Sequence, residues 1–164
     1  MPFALVTGGA GFIGSHLTGQ LLAEGWQVRV LDNFSTGNMG NLMGSLNLID
    51  LVRGDIRDSA IVEESVKGVD VIFHEAAFVS VPQSMEQPGE CFDVNIRGTE
   101  NLLQAGREAG VSRMVIASSA AVYGDNESIP LREDAQPRFL SPYAASKHIN
   151  ENLAGLYTRA FNFE

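Results

Sequence analysis

The segment Ser141-Pro142-Tyr143-Ala144-Ala145-Ser146-Lys147 holds the residues best suited to chemistry. Ser141 suits a helix N-cap and Pro142 the first helical position, which puts Tyr143 and Lys147, four apart, on one face. A tyrosine hydroxyl is only about one part in a thousand ionised at neutral pH. A cation some ~4–6 Å away lowers such a group by about one to three units. Tyr143 is therefore a candidate general base for an alcohol, with Lys147 as the cation. The same spacing also occurs in ordinary helix-surface pairs, so its meaning depends on what precedes it. In Ser118-Ser119-Ala120-Ala121-Val122-Tyr123-Gly124, a hydroxyl from Ser119 would hold the reacting oxygen and share its proton with Tyr143. Two serines that merely end a strand are the plainer alternative.

A second constellation opens the chain: Thr7-Gly8-Gly9-Ala10-Gly11-Phe12-Ile13-Gly14. Gly8 permits a tight turn, Gly11 lets the backbone approach a pyrophosphate, and Gly14 lets a helix pack closely on a sheet. A helix beginning there offers unpaired N–H groups to phosphate oxygens. Asp32 follows eighteen positions after Gly14. A carboxylate at that point accepts ribose hydroxyls and repels a 2′-phosphate, which favours NAD over NADP; alternatively it opens a turn with Asn33. Asp55 reads equally as an acceptor for an adenine amino group or as a solvated loop acid.

These groups need elements to position them. Short apolar, β-branched runs predict strands at Phe3 to Thr7, Gln27 to Leu31, Leu48 to Val52, Val69 to Phe73 and Arg113 to Ala117. Between them, helices are expected from Phe12 to Glu24, Ser59 to Lys67, Glu90 to Ala109 and Pro142 to Ala160. The first carries Ile13, Leu17, Leu21 and Leu22 at helical spacing. Residues 33–47 and 124–140 read as loops. Strands separated by helical crossovers predict an α/β fold, a Rossmann-type doubly wound parallel sheet with helices on both faces. No further strand is recognised after the last helix, and residues 1–164 are expected to be the front part of a larger protein.

Composition narrows the function. Of 164 residues 45% are apolar, enough for a proper core. Eleven Lys and Arg against twenty Asp and Glu give a net charge of −9, which opposes nucleic acid and anionic membrane surfaces as partners. One cysteine, Cys91, allows no intrachain disulfide, and no zinc-ligand spacing exists. The N-terminal apolar run is too short for a leader or a membrane span. A reducing, cytoplasmic setting is expected. His16, His74 and His148 are scattered and read as structural rather than as metal ligands, and Trp26 and Phe73 as core.

In order, Thr7 to Gly14, Asp32, Asp55, His74-Glu75-Ala76-Ala77, Asn95, Ser118 to Gly124 and Tyr143-x-x-x-Lys147 resemble the extended short-chain dehydrogenases/reductases. More narrowly they resemble nucleotide-sugar 4-epimerases of the UDP-glucose or UDP-N-acetylglucosamine type, over essentially the whole chain. The resemblance implies that Gly8, Gly11, Phe12, Ile13 and Gly14 bind the pyrophosphate of NAD. It places Asp32, Asn33, Ser35, Thr36 and Gly37 on the adenosine ribose side, Asp55 and Ile56 beside adenine, and Ala76 and Ala77 along the cofactor. Asn95 would position the chain behind the active site, Lys147 hold the nicotinamide ribose, and Ser119 and Tyr143 touch the substrate. The implied reaction removes hydride from sugar C4 to NAD and returns it to the other face of a 4-keto sugar. A homodimer built on the helices 90–109 and 142–160 is implied too.

Two sister reactions fit less well. The 4,6-dehydratases carry an Asp-Glu pair where this chain has Ala120-Ala121, and sugar-acid decarboxylases a Glu at the second position; alanine has no proton to give. Glu75 stands where the family usually has an apolar residue, and Val81-Pro82-Gln83-Ser84 is closer to N-acetylhexosamine and uronic-acid epimerases. The resemblance also implies a longer chain, whose C-terminal part binds the nucleotide half of the donor, so residues 1–164 are expected to be a fragment. The fragment is expected to hold NAD and to hold a sugar nucleotide poorly. The rival readings are a uronic-acid epimerase or reductase of the same family, and a non-catalytic NAD-binding or dimerising module.

Overall fold

The computed structural model describes residues 1–127 and 129–164. Its core is a five-stranded sheet, all neighbours parallel, in the order β3-β2-β1-β4-β5. The strands are β1 (Phe3–Thr7), β2 (Gln27–Asp32), β3 (Ile49–Arg53), β4 (Val71–His74) and β5 (Arg113–Ile116). Ala4, Val6, Val28 and Val30 pack on one face with Leu21 of helix α1 (Phe12–Ala23). Leu5, Leu31 and Ile72 pack on the other with Val62 of α2 (Ser59–Ser65), Leu102 and Leu103 of α5 (Gly98–Ala109) and Tyr157 of α6 (Pro142–Phe161). Alternate residues of β1 thus enter opposite cores, as a strand covered on both faces requires.

The expected strands and long helices are all present, with three differences in the helices. Helix α3 (Val81–Glu86), capped by the Ser80 hydroxyl, is an addition to the expected set. The helix expected over 90–109 is divided into α4 (Pro88–Phe92), a wide π turn (Asp93–Arg97) and α5. Several apolar residues of the helices stand outward rather than toward the sheet: Ile13 is 61% exposed, and Phe92, Ile149 and Leu156 are also exposed. In α1 the inward face is Gly14, Thr18 and Leu21 instead. The loop 33–47 holds one short 3-10 turn, Met39–Leu42.

The end of α6 also departs from expectation. Asn162 closes the helix in the left-handed region (φ 53°), a conformation asparagine tolerates. Phe163 is then buried in the core, and the Glu164 carbonyl accepts the Met114 N–H at 2.7 Å. The residues after α6 thus lie against β5.

A buried polar chain ties the sheet to α5 and α6. Thr99 donates its hydroxyl proton to the Asn95 carbonyl (2.6 Å), so its oxygen accepts from both His74 Nε2 (2.9 Å) and Asn150 Nδ2 (3.0 Å). The His74 proton consequently sits on Nε2, and Nδ1 accepts from the Thr7 hydroxyl at 2.7 Å. Thr7 Oγ1 in turn accepts the Ala76 N–H at 3.3 Å. Every bond has a fixed direction, and none leaves room for a second proton on the ring.

Burial pushes His74 down to about 3, with the Lys147 ammonium adding to the effect. Between pH 6.5 and 3 the unfolded chain therefore binds a proton that the folded chain refuses. Stability attributable to this ring is full above pH 6.5 and falls by about 1.4 kcal/mol per unit as pH drops through that window. Denaturant melts at pH 7, 6 and 5 should show this slope, and His74→Gln should flatten it; an unchanged slope in the variant refutes the assignment.

Candidate functional site

In the strand order β3-β2-β1-β4-β5, connections leave β1 toward opposite edges of the sheet, opening a crevice between β1 and β4 at their carboxyl ends. A cavity of about 490 Å³ lies there, in the size range of ligand sites. Its wall is built mainly by four segments, with Glu90 and Val94 added from α4 and the wide turn after it. Gly8, Gly11, Phe12, Ile13 and Gly14 come from the turn after β1, and Asp32, Asn33, Ser35, Thr36 and Gly37 from the end of β2. Gly54, Asp55, Ile56 and Arg57 follow β3; Glu75, Ala76, Ala77, Phe78, Val79, Ser80 and Gln83 follow β4.

The glycine turn is shaped by backbone contact. Gly8 has φ +68°, and a Cβ there would lie 2.6 Å from Ala76 N. A Cβ on Gly14 would lie 2.3 Å from the Gly8 carbonyl oxygen, so the first turn of α1 packs directly against the turn after β1. A Cβ on Gly11 would meet only Gly8 O, at 3.1 Å, which leaves this stretch of backbone open to the cavity. The N-cap of α1, Gly11, supplies no side-chain acceptor, so the first-turn N–H groups and the positive end of the helix dipole remain available. This bare cradle fits a pyrophosphate. Phe12 is 80% exposed at the same helix start.

Asp32 opens a turn, the second of its expected uses. One oxygen accepts the Ala10 N–H (2.9 Å) and the other the Phe34 N–H (2.8 Å), a side-chain turn that reaches one residue past Asn33. Each oxygen keeps a lone pair that can face the cavity.

Asp55 corrects the expectation more strongly. Its carboxylate accepts the Arg57 backbone N–H (2.9 Å), Arg57 Nε (3.0 Å), Arg57 NH2 (2.7 Å) and Asn33 Nδ2 (2.8 Å). Those four donors fill its accepting positions. It is neither a freely solvated acid nor an open acceptor for an amino group. The Arg57 hydrogen bonds hold it well below the usual carboxylate range. Ile56 is buried against Gly98, where a Cβ would sit 2.4 Å from Ile56 Cδ1.

Asn95, Ser119, Tyr143 and Lys147 are not on the cavity wall. Asn95 and the turn bearing Tyr143 and Lys147 are attached to it. Asn95, 1% exposed, accepts the Phe78 N–H (2.7 Å) and donates to the Phe78 carbonyl (3.2 Å) and to Ser146 Oγ (2.8 Å). Ser146 donates to the Tyr143 carbonyl (2.7 Å), and Ser84 Oγ accepts the Tyr143 N–H (3.2 Å). The turn bearing Tyr143 and Lys147 is thus held to the segment after β4 from two sides.

Lys147, 4% exposed, donates Nζ to the Ala117 carbonyl at 2.8 Å. Burial pushes its ammonium below the ordinary value, and the Glu75 carboxylate opposes that shift. Ser119 caps a 3-10 turn, Ala120–Tyr123, by accepting the Ala121 N–H at 3.2 Å, which leaves its own proton free to donate.

Arg57, Ser84, Ser146 and the lining residues Ser80 and Gln83 are additions to the expected site. The Ser80–Pro82 spacing, an N-cap followed by proline in the first turn, is a signal that marks α3. Among the described residues no group of three or more His, Cys, Asp or Glu gathers as metal ligands, and no helix is long and apolar enough to cross a membrane.

The sheet order and crevice define a Rossmann-type dinucleotide-binding fold. Residues 4–164 match the NAD dependent epimerase/dehydratase family, and the chain belongs to it. A UDP-glucose 4-epimerase of Streptomyces lividans is 42% identical over 146 residues, covering 87% of this chain and 44% of that protein. The structure of a Thermus thermophilus UDP-glucose 4-epimerase in complex with NAD is 41% identical with a TM-score of 0.90, over 99% of this chain and 52% of that one. A dTDP-glucose 4,6-dehydratase from Streptomyces venezuelae, solved with NAD bound, is 39% identical with a TM-score of 0.93, over 98% and 53%. This chain spans about half the length of these relatives.

Replacing Arg57 by Gln removes the two side-chain donors, Nε and NH2, from Asp55 and should bring its carboxyl up toward the ordinary value of about 4. Side-chain carboxyl NMR across an acid titration reads this directly. A carboxyl that stays depressed in Arg57→Gln would mean that Asn33 and the backbone N–H of residue 57, not the guanidinium, control it.

Proposed function

We propose that this chain is the dinucleotide-binding unit, residues 1–164, of a nucleotide-sugar 4-epimerase. The observation that carries this reading is the attachment of the Tyr143–Lys147 turn, through Asn95, Ser146 and Ser84, to the wall of a glycine-lined crevice at the switch point of the sheet. A dinucleotide lying in that crevice has its pyrophosphate against Gly11 and the start of α1. Its adenosine ribose meets the remaining lone pairs of Asp32, and the carboxylate's charge disfavours a 2′-phosphate, so NAD is the form expected. Because Asp55 is filled by its own neighbours, adenine must be met by backbone groups near Ile56 or must displace Asn33 from Asp55.

When bound, NAD supplies the acceptor and donor of hydride. The chain's residues handle the proton. Tyr143 takes it from the sugar C4 hydroxyl and later returns it. Ser119, its oxygen already held by Ala121 N–H, donates to the same substrate oxygen. Lys147 contributes positive charge from a buried position fixed on the Ala117 carbonyl. Ala120 and Ala121, in the 3-10 turn behind Ser119, offer no acid for expelling a hydroxyl. That favours epimerisation over dehydration, although relatives of both kinds share the fold. The named activities of the relatives support UDP-hexose or UDP-N-acetylhexosamine as substrate class. The exposed Phe92, Ile149 and Leu156 support a homodimer through α4, α5 and α6.

The test begins with the cofactor. The purified chain should bind NAD, and NADP more weakly. Gly11→Val should leave circular dichroism and the melting temperature nearly unchanged while weakening NAD by about tenfold or more, since its side chain enters the cradle. Absence of NAD binding by the wild-type chain at millimolar ligand would defeat the reading. Turnover of UDP-glucose is expected to be slow in a chain of half length, and Tyr143→Phe should reduce whatever is measured by about 10²–10⁴.

A further inference from the structure

Four carboxylates line the crevice, and three have partners. Asp32 accepts two backbone N–H groups, Asp55 is filled by Arg57 and Asn33, and Glu90 lies 3.8 Å from Arg57 NH1. Glu75 differs. Its backbone N–H is used on the Thr7 carbonyl (3.2 Å), but among the described residues its half-buried carboxylate has neither a hydrogen-bond nor an ion-pair partner. A partly desolvated charge left alone on a ligand wall costs free energy until something of opposite sign arrives.

Its position says what that is. Glu75 is the first residue after β4, at the switch point, on the wall that runs through Ala76 and Phe78 toward the attachment of the Tyr143 turn. The partnered acids Asp32 and Asp55 stand across the crevice, behind β2 and β3. The charge that Glu75 feels is that of Lys147, which itself donates to Ala117 rather than to Glu75.

We propose that Glu75 is the counter-charge for an oxidised nicotinamide ring, so that this chain holds NAD⁺ in preference to NADH. The inference rests on the reading under Proposed function. The ring of NAD⁺ carries one positive charge and loses it on accepting a hydride, two electrons with one proton, from the substrate carbon. A carboxylate beside the ring stabilises only the first form, while the Lys147 ammonium disfavours it. Glu75 offsets Lys147 and tilts the bound pair back toward the oxidised state, which favours release of hydride to the sugar over its retention. The groups behind β2 and β3 face parts of the dinucleotide whose charge does not change and cannot serve this purpose.

The experiment compares dissociation constants of NAD⁺ and of NADH, each measured by calorimetry at low salt, for the wild-type chain, Glu75→Gln and Glu75→Asp. Glutamine keeps the shape and removes the charge; aspartate keeps the charge should glutamine fail to fold. The wild-type preference for NAD⁺ should fall by about tenfold in Glu75→Gln and survive largely in Glu75→Asp. Equal weakening of both forms in Glu75→Gln would assign the side chain to a ribose hydroxyl and overturn the proposal, as would an unchanged ratio. A wild-type chain that binds neither form removes the nucleotide reading itself, a result distinct from the other two.

Discussion

Three stretches of backbone meet at Gly8 with no side chain between them, and most of the site is arranged around that meeting. The Gly14 position lies against the Gly8 carbonyl, and the Gly8 position against the Ala76 amide, each closer than any Cβ permits. Sterics, more than hydrogen bonding, thereby set where α1 begins, how it tilts and how near the segment after β4 can come. The polar contacts around the turn are secondary to this approach. The Ala10 amide falls within reach of Asp32, and the Ala10 carbonyl accepts both Asn38 N and Asn41 Nδ2, so the long loop after β2 folds back over the turn.

The opposite wall is held differently, by buried polar groups whose donors and acceptors are nearly all matched. Asn95 occupies the wide turn between α4 and α5, where the helical repeat is interrupted. Its neighbours Asp93 and Arg97 pair with each other on the outside at 2.8 Å while Asn95 is turned inward. An interruption of this kind re-aims a side chain without ending the helix, and such turns recur at functional sites. The Asn150 Oδ1 atom is the exception to the matching, buried without a partner among the described residues.

The strands are legible in the sequence because buried parallel strands read as compact apolar runs, and the crevice because glycine at three particular places has few other uses. Strand ends differ from expectation by a residue or two: His74 joins β4 and Val69 does not. Helical periodicity cannot reveal the wide turn at Asp93–Arg97, since the residues on either side remain helical. Nor can it separate residues packed on the sheet from those facing outward at the ends of long helices, as Ile13, Phe92 and Leu156 show. Asp55 escapes a sequence reading for a local reason. Its partner Arg57 is two residues away, a spacing that faces away on a helix and only shares a face in a strand, but in this turn the side chain folds back upon the acid. The groups that fasten the Tyr143 turn, Ser84 and Ser146, are far from Asn95 or from each other in sequence, and only the packing of α3 and α6 brings the three segments together.

The pairing of Glu164 with Met114 has a consequence for inheritance of pattern. Side chains in an extended strand alternate between faces, so a single bond fixes the parity of everything that continues from it. With Phe163 committed to the interior on the α5 side, the residues on either side of it have their inward and outward positions already decided. A one-residue insertion between Asn162 and Glu164 would break the match between the buried Phe163 ring and the Met114 bond, whereas an insertion just before Ser141, upstream of α6, leaves both in place.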